Sequence, residues 1–388
     1  MSKKNKQQIG KKIFKGILLV LNLIAALMLL MAFFAHLIRP SISSWIAFCG
    51  LAFPYILIVN GVFCVLWLFI SYPYAFISLT IILLNVNNID KHFQLKDAAV
   101  PLNCSRSVKV LSYNAQLFGV YTYDDEAQRN QQKEKIFDFL RAEKPDIACF
   151  QEYFWDKSDK LNFVTTDSIL SILSLKDDQQ HHYLYFPVNL REEYYYGLAI
   201  FSRYKIIRAE PIVFPDSSTN SAIFVDIKYK NDTLRIYNLH LASIHMDKVD
   251  YSTGKQIFNS QFDDPFLNQK TKKIFKKIKT AFITRQQQSI TIHRHIDSCK
   301  YPVIICGDFN DSPASYSYYK IGHRFKDTFR ESGKGTGYTY NGDAFPKYRI
   351  DYILHDKQYN SYMHTVGRDL DVSDHFPVYC TLSLQKKM

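Results

Sequence analysis

Charge is what the N-terminal part of this sequence lacks. From Gly16 to Leu84 there is one charged side chain, Arg39. A stretch that apolar has no polar face to offer to water, which excludes an ordinary soluble domain there. Acid is missing from two other places. Met1 to Lys15 carries six lysines and Lys270 to Lys279 another six, neither with an Asp or Glu. Those 12 lysines account for the formal charge of +12, since the rest of the chain balances 36 basic against 36 acidic residues. A generally basic nucleic-acid-binding surface is thereby excluded, because the surplus sits in a tail and one short stretch. Metal-type cysteine spacing is also absent. The seven cysteines show no CxxC and no disulfide framework. Cys49 and Cys64 fall in apolar segments. Cys149, Cys306 and Cys380 fall in strand-like runs, where a thiol acts as a small buried hydrophobe. No internal repeat or low-complexity run stands out.

What is present begins with two apolar runs. Ile17 to Ile38 is uncharged and about the length of one bilayer crossing. It is too long for a cleaved signal peptide, and a second run follows. That run, Trp45 to Leu84, has 40 residues without a charge. As one helix it would reach about 60 Å, twice the hydrocarbon thickness, so it is expected to fold into two crossings. The break falls near Asn60-Gly61 or at Ser71-Tyr72-Pro73; one long tilted helix with an interfacial segment is the alternative. The lysine tail stays cytoplasmic by the positive-inside rule. Three crossings then put the soluble part outside the cytoplasm and two leave it inside. Asn87 to Pro101 carries no charge bias to arbitrate. The expectation adopted is a multi-pass protein of a bacterial inner membrane, in contact with the lipid bilayer. It has a basic tail over 1–15, three transmembrane helices over 16–86, a linker over 87–106 and an extracytoplasmic domain over 107–388.

Beyond the linker, strand and helix patterns alternate. Val108–Asn114, Ile147–Gln151, Tyr183–Phe186, Leu198–Ser202, Ala222–Tyr229, Leu234–His240, Tyr348–Leu354 and Val378–Leu384 read as strands. Gln128–Glu143, Leu161–Leu175 and Lys270–Ser298 read as helices, with Ile244–Phe266 polar and irregular between. Val303-Ile-Ile-Cys306 reads as a buried strand broken by Gly307. Hairpins mixed with α/β units at this length suggest sheets covered by helices, a layered α/β sandwich.

Polar residues suited to phosphate or metal chemistry recur at the strand ends. They are Asn114, Gln151-Glu152, Asn238-Leu-His240, Asp308-Phe-Asn310, Arg349-Ile-Asp351 and Ser373-Asp374-His375. Each has a bland alternative. Asn114 and Asp308-Phe-Asn310 suit turns, Glu152 suits a helix N-terminus, His240 a satisfied core histidine, and Asp374 a cap. Those alternatives do not account for all six falling at strand termini, where ligands bind in α/β sheets.

Taken in order, Asn114, Gln151-Glu152, Tyr196-Gly-Leu-Ala-Ile-Phe-Ser-Arg203, Asn238-Leu-His240, Gly307-Asp-Phe-Asn310, Arg349-Ile-Asp-Tyr352 and Ser373-Asp-His-Phe-Pro377 resemble the endonuclease/exonuclease/phosphatase family, in a membrane-anchored bacterial form. That family includes pancreatic-type deoxyribonucleases, abasic-site endonucleases, sphingomyelinases and inositol-phosphate phosphatases. The resemblance spans roughly Val108 to Leu384. It implies an α/β (α+β) four-layer sandwich of two mixed β-sheets flanked by helices. It also implies a Mg2+-dependent hydrolase, with Mn2+ as the alternative ion, that cleaves a phosphate ester by in-line attack of water. Glu152 resembles the Mg2+ carboxylate, a hard oxygen ligand for a hard cation. Asn114 supports that metal and the phosphate, and Asp374 resembles a further metal-side ligand. Asp308 matches the carboxylate that addresses the water, and Asn310 the amide on a phosphate oxygen. His375 matches the histidine on the scissile phosphate, with Asp351 to orient it and raise its pKa. His240 falls where deoxyribonucleases use a histidine near the leaving group. One departure is Gln116, where abasic endonucleases carry an acid; it weakens any expectation of abasic-site activity and of a second metal.

The substrate is less defined. Arg191 and Tyr196, the latter in a Tyr194-Tyr-Tyr196 cluster, are candidate substrate contacts that suit base stacking or a lipid interface; a partly buried aromatic cluster is the alternative. The Lys270 helix has Ile274, Phe275, Ile278 and Phe282 on a packing face, and its lysines suit nucleic-acid phosphates, anionic lipid heads or plain solvation. Two classes of substrate therefore stay open, a nucleic acid and a phospholipid or sugar phosphate. No protein partner is implied.

Overall fold

The structure, a computed structural model, describes residues 3–95, 107–122, 125–158, 161, 163–176, 180–215, 219–244, 265–342 and 347–383. Its apolar part is built from helices α1 (Lys3–Phe34), α2 (Ser44–Leu51), α3 (Phe53–Ile70), α4 (Ala75–Leu84) and α5 (Val86–His92). Among the described residues two stretches are long and apolar enough to cross a membrane, Gln7–Phe34 and Phe53–Ile70. Tyr72–Leu84 and Val86–His92, bent by 60°, make a third if taken as one span. From Lys3 on, the basic tail is helical and continuous with the first apolar helix. The long apolar run breaks at Ser71, ahead of Pro73, whose missing N–H and ring cannot continue α3. Asn60 lies inside α3 instead, its amide donating to the Ala25 and Ile56 carbonyls at 2.9 Å each.

A chain of buried polar groups joins three of these helices. Trp67 Nε1 donates to Asn22 Oδ1 (2.8 Å), Asn22 Nδ2 to Ser78 Oγ (2.6 Å), and Ser78 Oγ to Asn60 Oδ1 (3.2 Å). In apolar surroundings each group would otherwise stand unpaired, so the chain favours this one arrangement of α1, α3 and α4.

From β1 (Phe93–Gln94) the chain enters its second part. The elements are β2 (Ser107–Asn114), α6 (Glu126–Glu143), β3 (Ile147–Asp156), α7 (Thr166–Ile172), β4 (His182–Leu190), β5 (Tyr194–Ser202), β6 (Ile206–Ile212), β7 (Ser221–Tyr229) and β8 (Asp232–His240). They continue with α8 (Pro265–Asp297), β9 (Val303–Asp308), β10 (Lys326–Asp327), β11 (Gly335–Thr336), β12 (Asp351–His355), β13 (Asn360–Val366) and β14 (Val378–Ser383). Two six-stranded sheets form, in the orders β10-β12-β9-β8-β7-β6 and β13-β14-β2-β3-β5-β4. Each has one parallel pair, β8 with β9 and β2 with β3, within antiparallel neighbours. Alternate residues explain the layers. Val108, Val110, Ile304 and Cys306 fill the space between the sheets. Leu111 and Tyr113 face outward onto Ile136, Phe137 and Leu140 of α6. Val303 and Ile305 face outward onto Ile292 and Ile296 of α8. Two mixed sheets back to back under flanking helices are the four-layer sandwich expected above.

Some boundaries differ from the sequence reading. The second predicted helix is confined to Thr166–Ile172. The strand at Tyr348 starts only at Asp351, because the Tyr348 and Ile350 carbonyls serve Thr339, Tyr340 and Phe309 outside the ladder. Gly307 does not break its strand, which runs on to Asp308. Most of Ile244–Phe266 lies outside the described residues.

The two parts are in contact. Arg349 donates to the Lys91 carbonyl (2.9 Å), Arg330 Nε bonds Asp90 (2.7 Å), and β1, directly after α5, pairs with β11. Ala314 is fully buried in a cluster with Leu29, Ala32, Phe53 and Ile56 of the apolar helices.

Candidate active site

Strand register brings the first residues together. β9 lies between β8 and β12, and Asp308 is opposite His240 on one side and Asp351 on the other. In the facing sheet, Asn114 ends β2 beside Gln151, and Glu152 follows in a bulge of β3. Gly307 makes the first row possible. Its φ is +148°, and a Cβ there would lie 2.2 Å from the Leu239 carbonyl oxygen, so β8 and β9 approach more closely than any side chain allows. Glu152 (φ 47°) and Asn310 (φ 50°) both sit in the left-handed region, backbone strain that re-aims their side chains.

Asp308 is the centre. It is fully buried, and its Oδ1 accepts the Asn310 backbone N–H at 2.7 Å. Its Oδ2 accepts Asn114 Nδ2 at 3.1 Å and Asn310 Nδ2 at 3.3 Å. The Nε2 atoms of His375 and His240 each lie 3.7 Å from the same oxygen. Burial pushes the Asp308 carboxyl up, to about 6, against the pull of His375; Asp351 adds to the rise. His375 moves the same way for a different reason. Burial alone would hold its imidazole down, but Asp351 and Asp308 carry it well above the usual histidine range. Its Nδ1 is 2.9 Å from Asp351 Oδ2. Asp351 is fixed in turn by Thr339, whose Oγ1 accepts the Ile350 and Asp351 N–H groups at 3.1 Å each. Ser373 Oγ accepts the His375 N–H and donates to the Asn114 carbonyl, tying the histidine loop to β2.

Glu152 faces the opening. Its Oε1 lies 3.4 Å from Asn114 Nδ2 and 3.9 Å from His240 Nε2. A cavity of about 290 Å³ is lined by Glu152, Asp308, Asn310, Asp374 and His375. A second, of about 220 Å³, is lined by Glu152, His240 and Tyr196. Asn310 donates its amide to the Leu241 carbonyl at 2.9 Å as well as to Asp308. Arg191 lies at the exposed turn between β4 and β5 and lines neither cavity.

Two donor sets suit a cation. Asp308, Asp351 and His375 each offer one ligand atom within 4.8 Å of the others. Their use by a metal competes with the ion pair between His375 and Asp351, which keeps the imidazole protonated. Glu152 and Asp374, which line the larger cavity, and the side-chain oxygen of the buried Asn114 beside Glu152 offer oxygen alone, the chemistry a hard divalent cation prefers.

Other residues of the site carry no motif. Tyr340 bridges His375 and packs edge-on against its ring at 5.3 Å. Gln116, an apparent departure in sequence, accepts the Asp374 N–H at 3.1 Å and so holds that loop. Leu51, from α2, also lines the larger cavity. Nothing in the spacing of 27 tyrosines or in a long apolar run singles these positions out.

Comparisons with known proteins bear on this geometry. Of solved structures, an endonuclease/exonuclease/phosphatase from Beutenbergia cavernae DSM 12333 is 16% identical, with a TM-score of 0.47 and 72% of each chain covered. A family protein from Bacteroides thetaiotaomicron is also 16% identical, with a TM-score of 0.47, 71% of this chain and 94% of that one. The human Nocturnin catalytic domain is 17% identical, with a TM-score of 0.46 and the same coverage. No curated protein matches. A family described as a domain of unknown function matches residues 12–92. The Endonuclease/Exonuclease/phosphatase family matches residues 111–275 and 276–375, which is most of the chain, and the protein belongs to that family.

Proposed function

We propose that this phosphoric ester hydrolase is a membrane-tethered, divalent-cation-dependent phosphodiesterase that cleaves by in-line attack of water. The observation that carries the reading is the buried Asp308 carboxylate between two histidines, His375 and His240, with Glu152 and Asn114 at the mouth. Mg2+, or Mn2+ in its place, would be held by Glu152, Asp374 and Asn114, and when bound neutralises charge on the phosphate oxygens. Asp308 takes a proton from water; a carboxyl raised to about 6 is a better base than an ordinary one. His375, kept cationic by Asp351, donates to a phosphate oxygen as negative charge builds there. Asn310 holds another phosphate oxygen, its amide exchanging the Leu241 carbonyl for the substrate. His240 protonates the departing oxygen, a role supported by its position beside both Asp308 and Glu152. The tether is supported by the apolar helices and the polar chain that joins them.

The full-length protein in detergent, given bis(p-nitrophenyl) phosphate, tests this. Turnover should vanish with chelator and return with Mg2+ or Mn2+. Asp308→Ala and His375→Ala should each lower kcat by about 10³-fold while the fold is retained. Near-normal turnover in either variant would refute the assignment.

A further inference from the structure

The larger cavity is two-faced. Its catalytic side is Glu152, Asp308 and His375; its other side is Leu51, Ile244, Tyr348 and Ile350, apolar or aromatic. Leu51 ends α2, the short helix between the first two apolar helices, so one wall of the cavity belongs to the helical part of the chain. The contact is tight. Ser312 Oγ, two residues after Asn310, faces the Gly50 carbonyl at 3.5 Å, and a Cβ on Gly50 would lie 3.6 Å from the Ala314 carbonyl oxygen. Ala314, on the same loop as Asn310, is buried among Leu29, Ala32 and Phe53. The cavity therefore lies at the level where the apolar helices end. Two large apolar side chains there, Ile42 and Trp45, are 76% and 69% exposed, as suits an interfacial belt.

α8 is held at the same level. Its Phe275 and Phe282 pack edge-on against Phe48 of α2 at 5.2 and 5.3 Å, and its Gln286 accepts the Ser41 N–H at 2.9 Å. A cavity of about 380 Å³ lined by Lys273, Lys276 and Lys277 of α8 shares Ser243 and Ile244 with the catalytic one. Basic side chains beside an apolar floor suit an anionic headgroup at a bilayer surface.

We infer that the substrate is a lipid-borne phosphate ester, hydrolysed in place at the bilayer. Its phosphate meets Asp308 and His375, and its apolar part leaves past Leu51 and Ile350 into the lipid. This rests on the phosphodiesterase reading above. Water supplies the oxygen of the new P–OH bond and the proton of the released alcohol as one P–O ester bond breaks. Nucleic acid, with no apolar part to place along Leu51, fits the site less well.

The test uses full-length protein in vesicles with Mg2+. The probes are phosphatidylglycerol, phosphatidylethanolamine and sphingomyelin, the deacylated glycerophosphodiesters, linear DNA, and bis(p-nitrophenyl) phosphate. At least one lipid should be cleaved with kcat/KM 100-fold or more above the deacylated compounds and DNA. Leu51→Asp should lower turnover of that lipid at least tenfold, mainly through KM. Equal or faster cleavage of deacylated esters or DNA, with no lipid preferred, overturns the inference and leaves the phosphodiesterase reading standing. Failure to cleave bis(p-nitrophenyl) phosphate as well defeats both. The substrate comparison on unaltered protein decides the matter even if Leu51→Asp does not fold.

Discussion

Two carboxylates show how single residues are assigned by their surroundings. Asp308 is pushed up because its burial and the nearby Asp351 outweigh two histidines. Glu331 is half-buried too, yet it is held down to about 2. Burial would raise it, but His355 Nε2 (2.9 Å), Lys326 Nζ (2.7 Å) and the Ser361 N–H and hydroxyl (2.9 Å each) all favour the anion. The first is raised towards neutral pH, as the proposed base role requires, and the second fastens the end of β13 to β12. Because the folded-state value of Glu331 lies below its unfolded one, its stabilisation is full above the unfolded value, near 4.3, and is lost as pH falls towards 2. It amounts to roughly 2–3 kcal/mol. Melting of the full-length protein between pH 6 and pH 2 should therefore be less steep in Glu331→Gln than in the parent; parallel curves would count against this ion cluster. The residues gathered around Asp308 were legible in sequence because polar types at strand ends are poor core material. Leu51 and Tyr340 were not, since a leucine in an apolar run and a tyrosine among many announce nothing without the fold.

At the scale of elements, five strands escaped the sequence reading: the two-residue β1, β10 and β11, and two longer ones, β6 and β13, which are both edges. β6 ends one sheet and β13 the other. β6 (Ile206–Ile212) buries only its two terminal residues and carries Pro211. β13 is interrupted by a bulge at Met363, whose φ is positive. Edge strands carry polar residues, prolines and bulges that keep other chains from pairing, and these features erase the period-two signal. The central strands, buried on both faces, were plain. The apolar helices posed the opposite problem, since length and hydropathy counted crossings but said nothing of how they pack. Asn22, Asn60, Ser78 and Trp67 now supply that. Replacing Asn22 with Leu removes the bonds of α1 to Trp67 and Ser78 and leaves that of Asn60 to the Ala25 carbonyl. Unfolding of the protein in detergent should then become easier by about 1 kcal/mol. An unchanged transition would mean that the Asn22 bonds add nothing to the stability of the bundle.

The molecule as a whole has two ends. Lys15 Nζ bonds Ser71 Oγ at 3.0 Å and lies 4.9 Å from the Tyr74 ring, so the basic start of α1 and the α3–α4 turn share one end. Gly50, Ala35 and the loop carrying Ala314 share the other, together with the candidate active site. α1, α3 and α4 thus run alternately between the ends, and the hydrolase domain lies opposite the lysines. If the lysine tail stays in the cytoplasm, the active site works outside it. The apolar count from sequence left two or three crossings open because a segment as short as α4, ten residues, is ambiguous by length. Its place beside α1 and α3 favours three. A reporter enzyme active only outside the cytoplasm should therefore be active when fused after Met388 and inactive when fused before Met1. Two inactive fusions, both expressed, would put the catalytic domain in the cytoplasm with the lysine tail and leave the third crossing without support.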